Sequence, residues 1–319
     1  MKFLIAGFGS IGRRHFRNLK ALGETDIVLL RSHKSTLDDA EIAGVPVETS
    51  IEAALNHKPD ALIVATPTAL HLDSALPAAK AGCSILMEKP VSDDLNGMQE
   101  LADALKQNGK EMLVGFQFRY HPGLQKVKTW LEAGKIGKVL MARSHWGEYL
   151  PNWHPWEDYR ESYAARDDLG GGVVRTLSHP LDYLRWLFGD VKQVNAKTMN
   201  LSDLALQNVE DMGEIQLVFE NGVFATAQVN YFQQPPVHTL EIFGSAGTIR
   251  WDNEDGAAQM WTVATGKWET FEMASNFDRN DLFLAEMQHF INIARGGEAS
   301  VCNLEDGLAV QELVQQVVA

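Results

Sequence analysis

Phe3-Leu4-Ile5-Ala6-Gly7-Phe8-Gly9-Ser10-Ile11-Gly12 stands almost at the start of the chain, and its reading decides the fold of the first half. The stretch from Lys2 to Ala6 reads as a buried strand, and Ile11 to Leu22 as a helix that Gly23 closes. Between them, Gly7-x-Gly9-x-x-Gly12 has the spacing of a strand-to-helix turn around a pyrophosphate. Gly7 permits the tight turn, Gly9 lets a phosphate approach the backbone, and Gly12 lets the helix pack closely on the sheet. The helix N-terminus adds N–H groups and a partial positive charge. Three glycines alone say little, but here strand, turn and helix agree. Gly7, Phe8, Gly9, Ser10, Ile11 and Gly12 are therefore expected to bind a dinucleotide.

Working outward, strand and helix signals alternate. Asp26 to Leu30 reads as a second strand, Ala61 to Ala65 as a third and Ser84 to Met87 as a fourth. Helical stretches near 70–81 and 94–107 separate these from Met112-Leu113-Val114. Repeated β-α-β spacing implies a parallel, doubly wound sheet. Near Phe118-Arg119-Tyr120-His121-Pro122 the pattern changes, which divides the chain into 1–119 and 120–319. The second part starts with a helix and a strand near Val139 to His145. An irregular aromatic segment from Trp146 to Asp168 follows, then one helix from about Gly172 to Phe188. From Val191 to Phe271 the reading is mostly β, with Asn221-Gly222 marking a hairpin and strands at 237–243 and 247–251. Long antiparallel strands there imply an open sheet, and a helical tail begins behind Asn303 and Asp306, placed as caps.

The chain has 319 residues, enough for two cores. Its net charge of -14 argues against nonspecific nucleic-acid or anionic-membrane binding. Cys83 and Cys302 give neither a disulfide framework nor metal-ligand spacing, so no metal is expected and a cytoplasmic setting is the simplest. No apolar run approaches a membrane span, and the first apolar run is too short for a signal peptide.

An acid at the end of the second strand would hold the adenosine ribose hydroxyls. The chain instead has Leu30-Arg31-Ser32-His33-Lys34. Arg31 and Lys34 suit a 2′-phosphate and Ser32 can hydrogen-bond it. This favours NADP(H), with NAD(H) and a solvated basic turn as the alternative.

Glu88-Lys89-Pro90 ends the fourth strand. Oxidising an alcohol requires a hydride to leave carbon and a proton to leave oxygen. Lysine can take that proton if its surroundings lower its pKa, and can hydrogen-bond the developing alkoxide. Glu88 is placed to orient Lys89 or to meet the nicotinamide ribose. The plain alternative is a surface Glu–Lys pair.

In order along the chain stand the glycine turn, Ala65-Thr66-Pro67-Thr68-Ala69-Leu70-His71, Glu88-Lys89-Pro90, and Gly170-Gly171-Gly172 through His179-Pro180-Leu181-Asp182. With these the chain resembles the glucose–fructose oxidoreductase / inositol dehydrogenase / rhizopine catabolism family over its whole length. The resemblance implies a Rossmann domain followed by an α/β domain with an open, mostly antiparallel sheet. It implies hydride transfer at a ring carbon of a sugar or related polyol, with Lys89 and His179 as catalytic groups. Thr66, Pro67 and His71 would lie beside the cofactor. Asp182 would either hold its helix or touch substrate.

One departure stands out. Common members carry an acid three or four residues before the histidine, where this chain has Arg175 and Thr176. Arg175 would bind a substrate acid or pair with Asp167 or Asp168. The segment from Gly147 to Arg160, with Tyr163 and Arg166, resembles the subgroup of surface-polysaccharide sugar biosynthesis. Tyr159, Arg160, Arg166, Arg175 and Thr176 are thus candidate substrate contacts, since rings stack on sugars and arginines grip acids. A self-packed loop or dimer contact is the other reading. Competing functions are a reductase of a non-sugar ring and a noncatalytic NAD(P) sensor. An open sheet with an apolar face would favour a homodimer or homotetramer.

Overall fold

Short runs of wholly buried, mostly apolar residues build the first sheet, as expected of parallel strands covered on both faces. The computed structural model describes residues 1–32 and 40–319. In chain order come β1 (Phe3–Ala6), α1 (Ser10–Ala21), β2 (Ile27–Leu30), β3 (Val47–Glu48), α2 (Ile51–Leu55), β4 (Ala61–Val64), α3 (His71–Lys80), β5 (Ser84–Met87), α4 (Met98–Gln107) and β6 (Met112–Val114). Every pairing is parallel and the order is β3-β2-β1-β4-β5-β6. The order reverses between β1 and β4, and there the carboxyl ends of the strands leave the crevice that binds ligands in such sheets.

Next come α5 (Pro122–Glu132), β7 (Val139–Gly147), α6 (Val173–Thr176), α7 (His179–Phe188), β8 (Val191–Met199), β9 (Met212–Phe219), β10 (Phe224–Asn230), β11 (Val237–Gly244), β12 (Gly247–Asp252), β13 (Ala258–Thr262) and β14 (Trp268–Phe271). They form an open sheet, β14-β13-β12-β11-β7-β10-β9-β8, in which only the β7–β10 pairing is parallel. Alternation of buried and half-buried residues along β9, β10 and β11 marks a sheet packed on one face. The fold is therefore α/β, a doubly wound parallel sheet with a second, mostly antiparallel one.

Two helices close the chain, α8 (Asn280–Ala294) and α9 (Leu304–Val318). Compact units comprise residues 1–116 with 279–311, and 117–278 with 312–319. The chain thus returns to its first unit, where the sequence reading kept 120–319 together. The reason is cover: α8 packs on α1 and β5, and Cys302 O accepts from Val114 N at 2.8 Å. Among the described residues no helix is long and apolar enough to cross a membrane.

Other differences are local. The expected helix from Gly172 to Phe188 is two helices, broken at Leu177 and Ser178. Pro180 has no N–H to continue a ladder from α6. The helix expected from 94 begins at Met98, because Asp94 caps Asn96 N and Gly97 takes a left-handed conformation. Asn303 caps α9 as expected, accepting from Asp306 N at 3.0 Å.

Candidate active site

At the carboxyl end of β1 the three glycines take distinct places. Gly7 has φ of 91°, and a Cβ there would sit 2.4 Å from Ala65 O. A Cβ on Gly12 would sit 2.1 Å from Gly7 O, so helix α1 meets the turn only without a side chain. A Cβ on Gly9 would meet nothing within 4 Å. Gly9 caps α1 with no side-chain hydrogen bond to its first N–H groups. An exposed, uncapped helix start beside open space fits a pyrophosphate. The residues present therefore suit a dinucleotide.

Around this turn the first unit gathers most of the expected cofactor residues. Phe8 is buried beneath two guanidinium groups, Arg13 at 4.5 Å and Arg31 at 5.6 Å from its centroid. Arg31 N donates to Glu48 O, and Ser32 is exposed. Lys34 lies outside the described residues. The His71 ring spans Thr66 O at 3.1 Å and Val91 O at 3.3 Å, bracing the segments after β4 and β5. Burial holds its imidazole below the usual range.

Glu88 and Lys89 follow β5, and the Lys89–Pro90 bond is cis. Glu88 turns to His15 on α1, with Oε1 2.7 Å from Nε2. Burial alone would raise its pKa, but the His15 hydrogen bond and the neighbouring Lys89 and histidines outweigh it and hold the Glu88 carboxyl below its usual range. His15 is the partner that the sequence reading missed. Its position on the helix behind the glycine turn carries no local signal of it.

His179 lies in the second unit, at the start of α7 and 1% exposed. Its ring packs on Phe118 at 4.9 Å and on Trp146 at 5.4 Å. Trp146 in turn stacks on His238, 4.2 Å and 4° apart. Tyr183 hydroxyl meets Ser144 Oγ and lies 3.3 Å from His238 Nε2. Phe118, Trp146 and His238 come from three distant segments, so no motif announced this column. Asp182 forms a buried ion pair with Arg119 at 2.7 Å, which makes it a holder of its helix.

The expected substrate residues are also in the second unit, each with a partner of its own. Tyr159 hydroxyl accepts from Ala205 N, Arg160 pairs with Asp158, and Arg166 pairs with Asp168 and, at 3.6 Å, Glu161. Arg175 donates to Gly171 O and lies 3.6 Å from Asp167. Thr176 is buried. Glu210 supplies a carboxyl nearby, accepting from Val174 N at 2.9 Å at the start of α6. Burial raises its pKa, offset in part by the Val174 bond and Arg175. Among the described residues no cluster of acids, histidines and cysteines suits a metal ion.

Comparisons with known proteins agree with this architecture. Residues 1–116 match an oxidoreductase family with a NAD-binding Rossmann fold, and residues 124–250 match the GFO/IDH/MocA C-terminal domain. An uncharacterized oxidoreductase of Bacillus subtilis, YrbE, is 30% identical over 266 residues, covering 78% of this chain and 73% of its own. Inositol 2-dehydrogenase 3 of Saccharopolyspora erythraea is 26% identical over 324 residues, covering 96% and 88%. The solved structure of levoglucosan dehydrogenase in complex with NADH superposes with a TM-score of 0.88 at 20% identity, covering 100% and 96%. The glycine turn, the two sheets and both matched segments together place the chain in the GFO/IDH/MocA family of oxidoreductases, which carry a NAD-binding Rossmann fold.

Proposed function

We propose that the protein transfers a hydride between a nicotinamide cofactor and a ring carbon of a sugar or sugar derivative. The observation that carries this reading is Glu88-Lys89 at the end of β5, in the same sheet as the open glycine turn. Similar proteins named for inositol and levoglucosan support a polyol ring as substrate. The nicotinamide, when bound, takes or gives the hydride. In oxidation the Lys89 amine accepts the hydroxyl proton as the carbon loses hydride, and in reduction its ammonium returns one. His179 is the second polar group on the substrate, and Thr66, Pro67 and His71 stand beside the cofactor. Tyr159, Arg160, Arg166, Arg175 and Thr176 remain proposed substrate contacts. For the arginines, binding an anionic sugar exchanges Asp158, Asp168 and Asp167 for the acid of the substrate.

The test is Lys89→Ala. Calorimetry is expected to show unchanged cofactor binding, while turnover followed at 340 nm falls at least about a hundredfold, the usual weight of an acid–base group. Near-normal turnover would overturn the role.

On the adenosine side the proposal is NADP(H) in preference to NAD(H). Arg31 and Ser32 end β2 with no acid in their places, which supports it. Titration of each nucleotide into nucleotide-free protein is expected to give tighter binding for NADPH, and tighter NADH binding would reverse the assignment. Buried, unbridged Cys83 and Cys302 are in keeping with a proposed cytoplasmic setting.

A further inference from the structure

Behind Glu88 lies a set of buried polar atoms that this chemistry leaves unused. Glu286 on α8 is 0% exposed, and neither of its carboxyl oxygens has a hydrogen-bond partner among the described residues. Phe283, one turn earlier, meets the His15 ring edge-on with centroids 6.4 Å apart. Asn280, a turn earlier still, donates to Asn18 on α1 at 2.8 Å. Residues 280, 283 and 286 share one face of α8, and this face looks onto α1. His15 is fully buried, and its Nδ1 also has no partner among the described residues.

The protonation states make these orphans complementary. Glu88 is ionised and cannot donate, so His15 Nε2 carries the hydrogen between them. In the tautomer that carries its one hydrogen on Nε2, His15 Nδ1 is a buried acceptor. Burial first, then the charge of Glu88, pushes the Glu286 carboxyl well above its usual range, so it keeps its proton and is a buried donor. A donor without an acceptor and an acceptor without a donor thus sit on two helices packed together.

We infer that Glu286 donates its carboxyl proton to His15 Nδ1 across one buried water, and that Glu286–water–His15–Glu88 is a line that adjusts the charge beside Lys89. The functional part rests on the role proposed for Lys89. Along the line a proton shift balances. The Glu286 O–H bond breaks as its proton passes to the water, a water O–H breaks as Nδ1–H forms, and Nε2–H breaks as a Glu88 O–H forms. No electrons change hands, and the negative charge moves from Glu88 to Glu286. A charged Glu88 favours the ammonium form of its neighbour, and a neutral Glu88 favours the amine. Each half of the proton cycle on Lys89 therefore has a matching state of the line. Glu286 acts through His15 and Glu88 and is a positioning residue. Glu88 is the charged group that bears on it, Arg14 of α1 lies 4.3 Å over the Phe283 ring on the same helix face, and His15, Lys89 and His71 are the titratable groups beside Glu88.

The experiment uses the intact chain and needs no substrate. Imidazole nitrogens are followed by 15N NMR, with His15 assigned from His15→Gln. Glu286→Leu is expected to move the Nδ1 resonance toward that of an acceptor without a donor, and Glu286→Gln to move it less. Identical resonances in the parent and Glu286→Leu would overturn the line. Lysine side-chain 13C NMR, with Lys89 assigned from Lys89→Arg, then reads the charge. Glu286→Gln, which donates but cannot ionise, is expected to shift the Lys89 midpoint by about one pH unit. An unmoved midpoint would leave the contact and remove its function. Failure of every sugar to turn over would count against the proposed reaction, while both NMR readings would still stand or fall separately.

Discussion

Gly9 and Gly12 differ in what a methyl group would meet, and this separates binding from packing at single residues. Gly12→Ala forces a Cβ against Gly7 O, so a loss of about 1–3 kcal/mol is expected in chemical denaturation. Gly9→Ala adds a methyl to open space on extended backbone. It should leave the denaturation midpoint unchanged and weaken the cofactor about tenfold, or about 1.4 kcal/mol. Equal stability losses in both would show that the turn is only structural. Glu286 supports a pH prediction. Its pKa is raised in the folded state, so its contribution to stability is full below the unfolded value near 4.5 and is lost as pH rises toward the folded one. The melting temperature of Glu286→Leu, relative to the parent, should therefore climb with pH from about 4.5. A constant difference would mean that the carboxyl is not held protonated. The glycines were legible because backbone geometry demands them. Glu286 and His15 were not, because their meaning appears only when α8 lies on α1.

At the scale of elements, the buried Arg119–Asp182 pair fastens the segment before α5 to α7. Removing one partner leaves a buried charge, and Asp182→Leu is expected to cost about 3–5 kcal/mol in urea unfolding. A loss under about 1 kcal/mol would mean that water reaches the site and screens the remaining charge. The sequence showed Asp182 as an ambiguous acid, since its partner lies far off along the chain. Elements with strong local grammar were legible. Asn221-Gly222 turns β9 into β10, Gly222 taking φ of 83° and Asn221 Oδ1 accepting from Val223 N. The break between α6 and α7 was hidden by a continuous apolar pattern from Val173 to Leu187, against which only Pro180 spoke. The short β3 and α2 carry too few residues for any periodicity. Of the expected site, the parts tied to the glycine turn, Thr66, His71 and Glu88 do gather at one sheet edge. The arginine-rich loop, expected to contact substrate or to pack on itself, has its charges met within the second unit.

At the scale of the molecule, the second sheet and the net charge pull assembly in opposite directions. Helices α5, α6 and α7 pack on one face of that sheet. The other face mixes Met141, Phe243, Val218 and Trp261 with a cross-strand trio in which Glu241 pairs with Arg143 and Arg250. Because the trio neutralises much of its own charge, most of what a second copy would cover is apolar or hydrogen-bonding surface. We propose a homodimer or homotetramer built on this face. Each copy carries a net charge of -14, so two copies repel at long range. Salt screens that repulsion, with a Debye length of about 30 Å at 0.01 M and about 8 Å at 0.15 M. Light scattering at micromolar protein should therefore show more assembly at the higher salt. The opposite trend would mean that intermolecular ion pairs hold the copies, and a monomer at both salts would remove the assembly. Arg143→Glu places two acids side by side in the trio and a fresh negative charge on the face. It is expected to shift the equilibrium toward monomer while cofactor affinity, set in the other unit, stays the same.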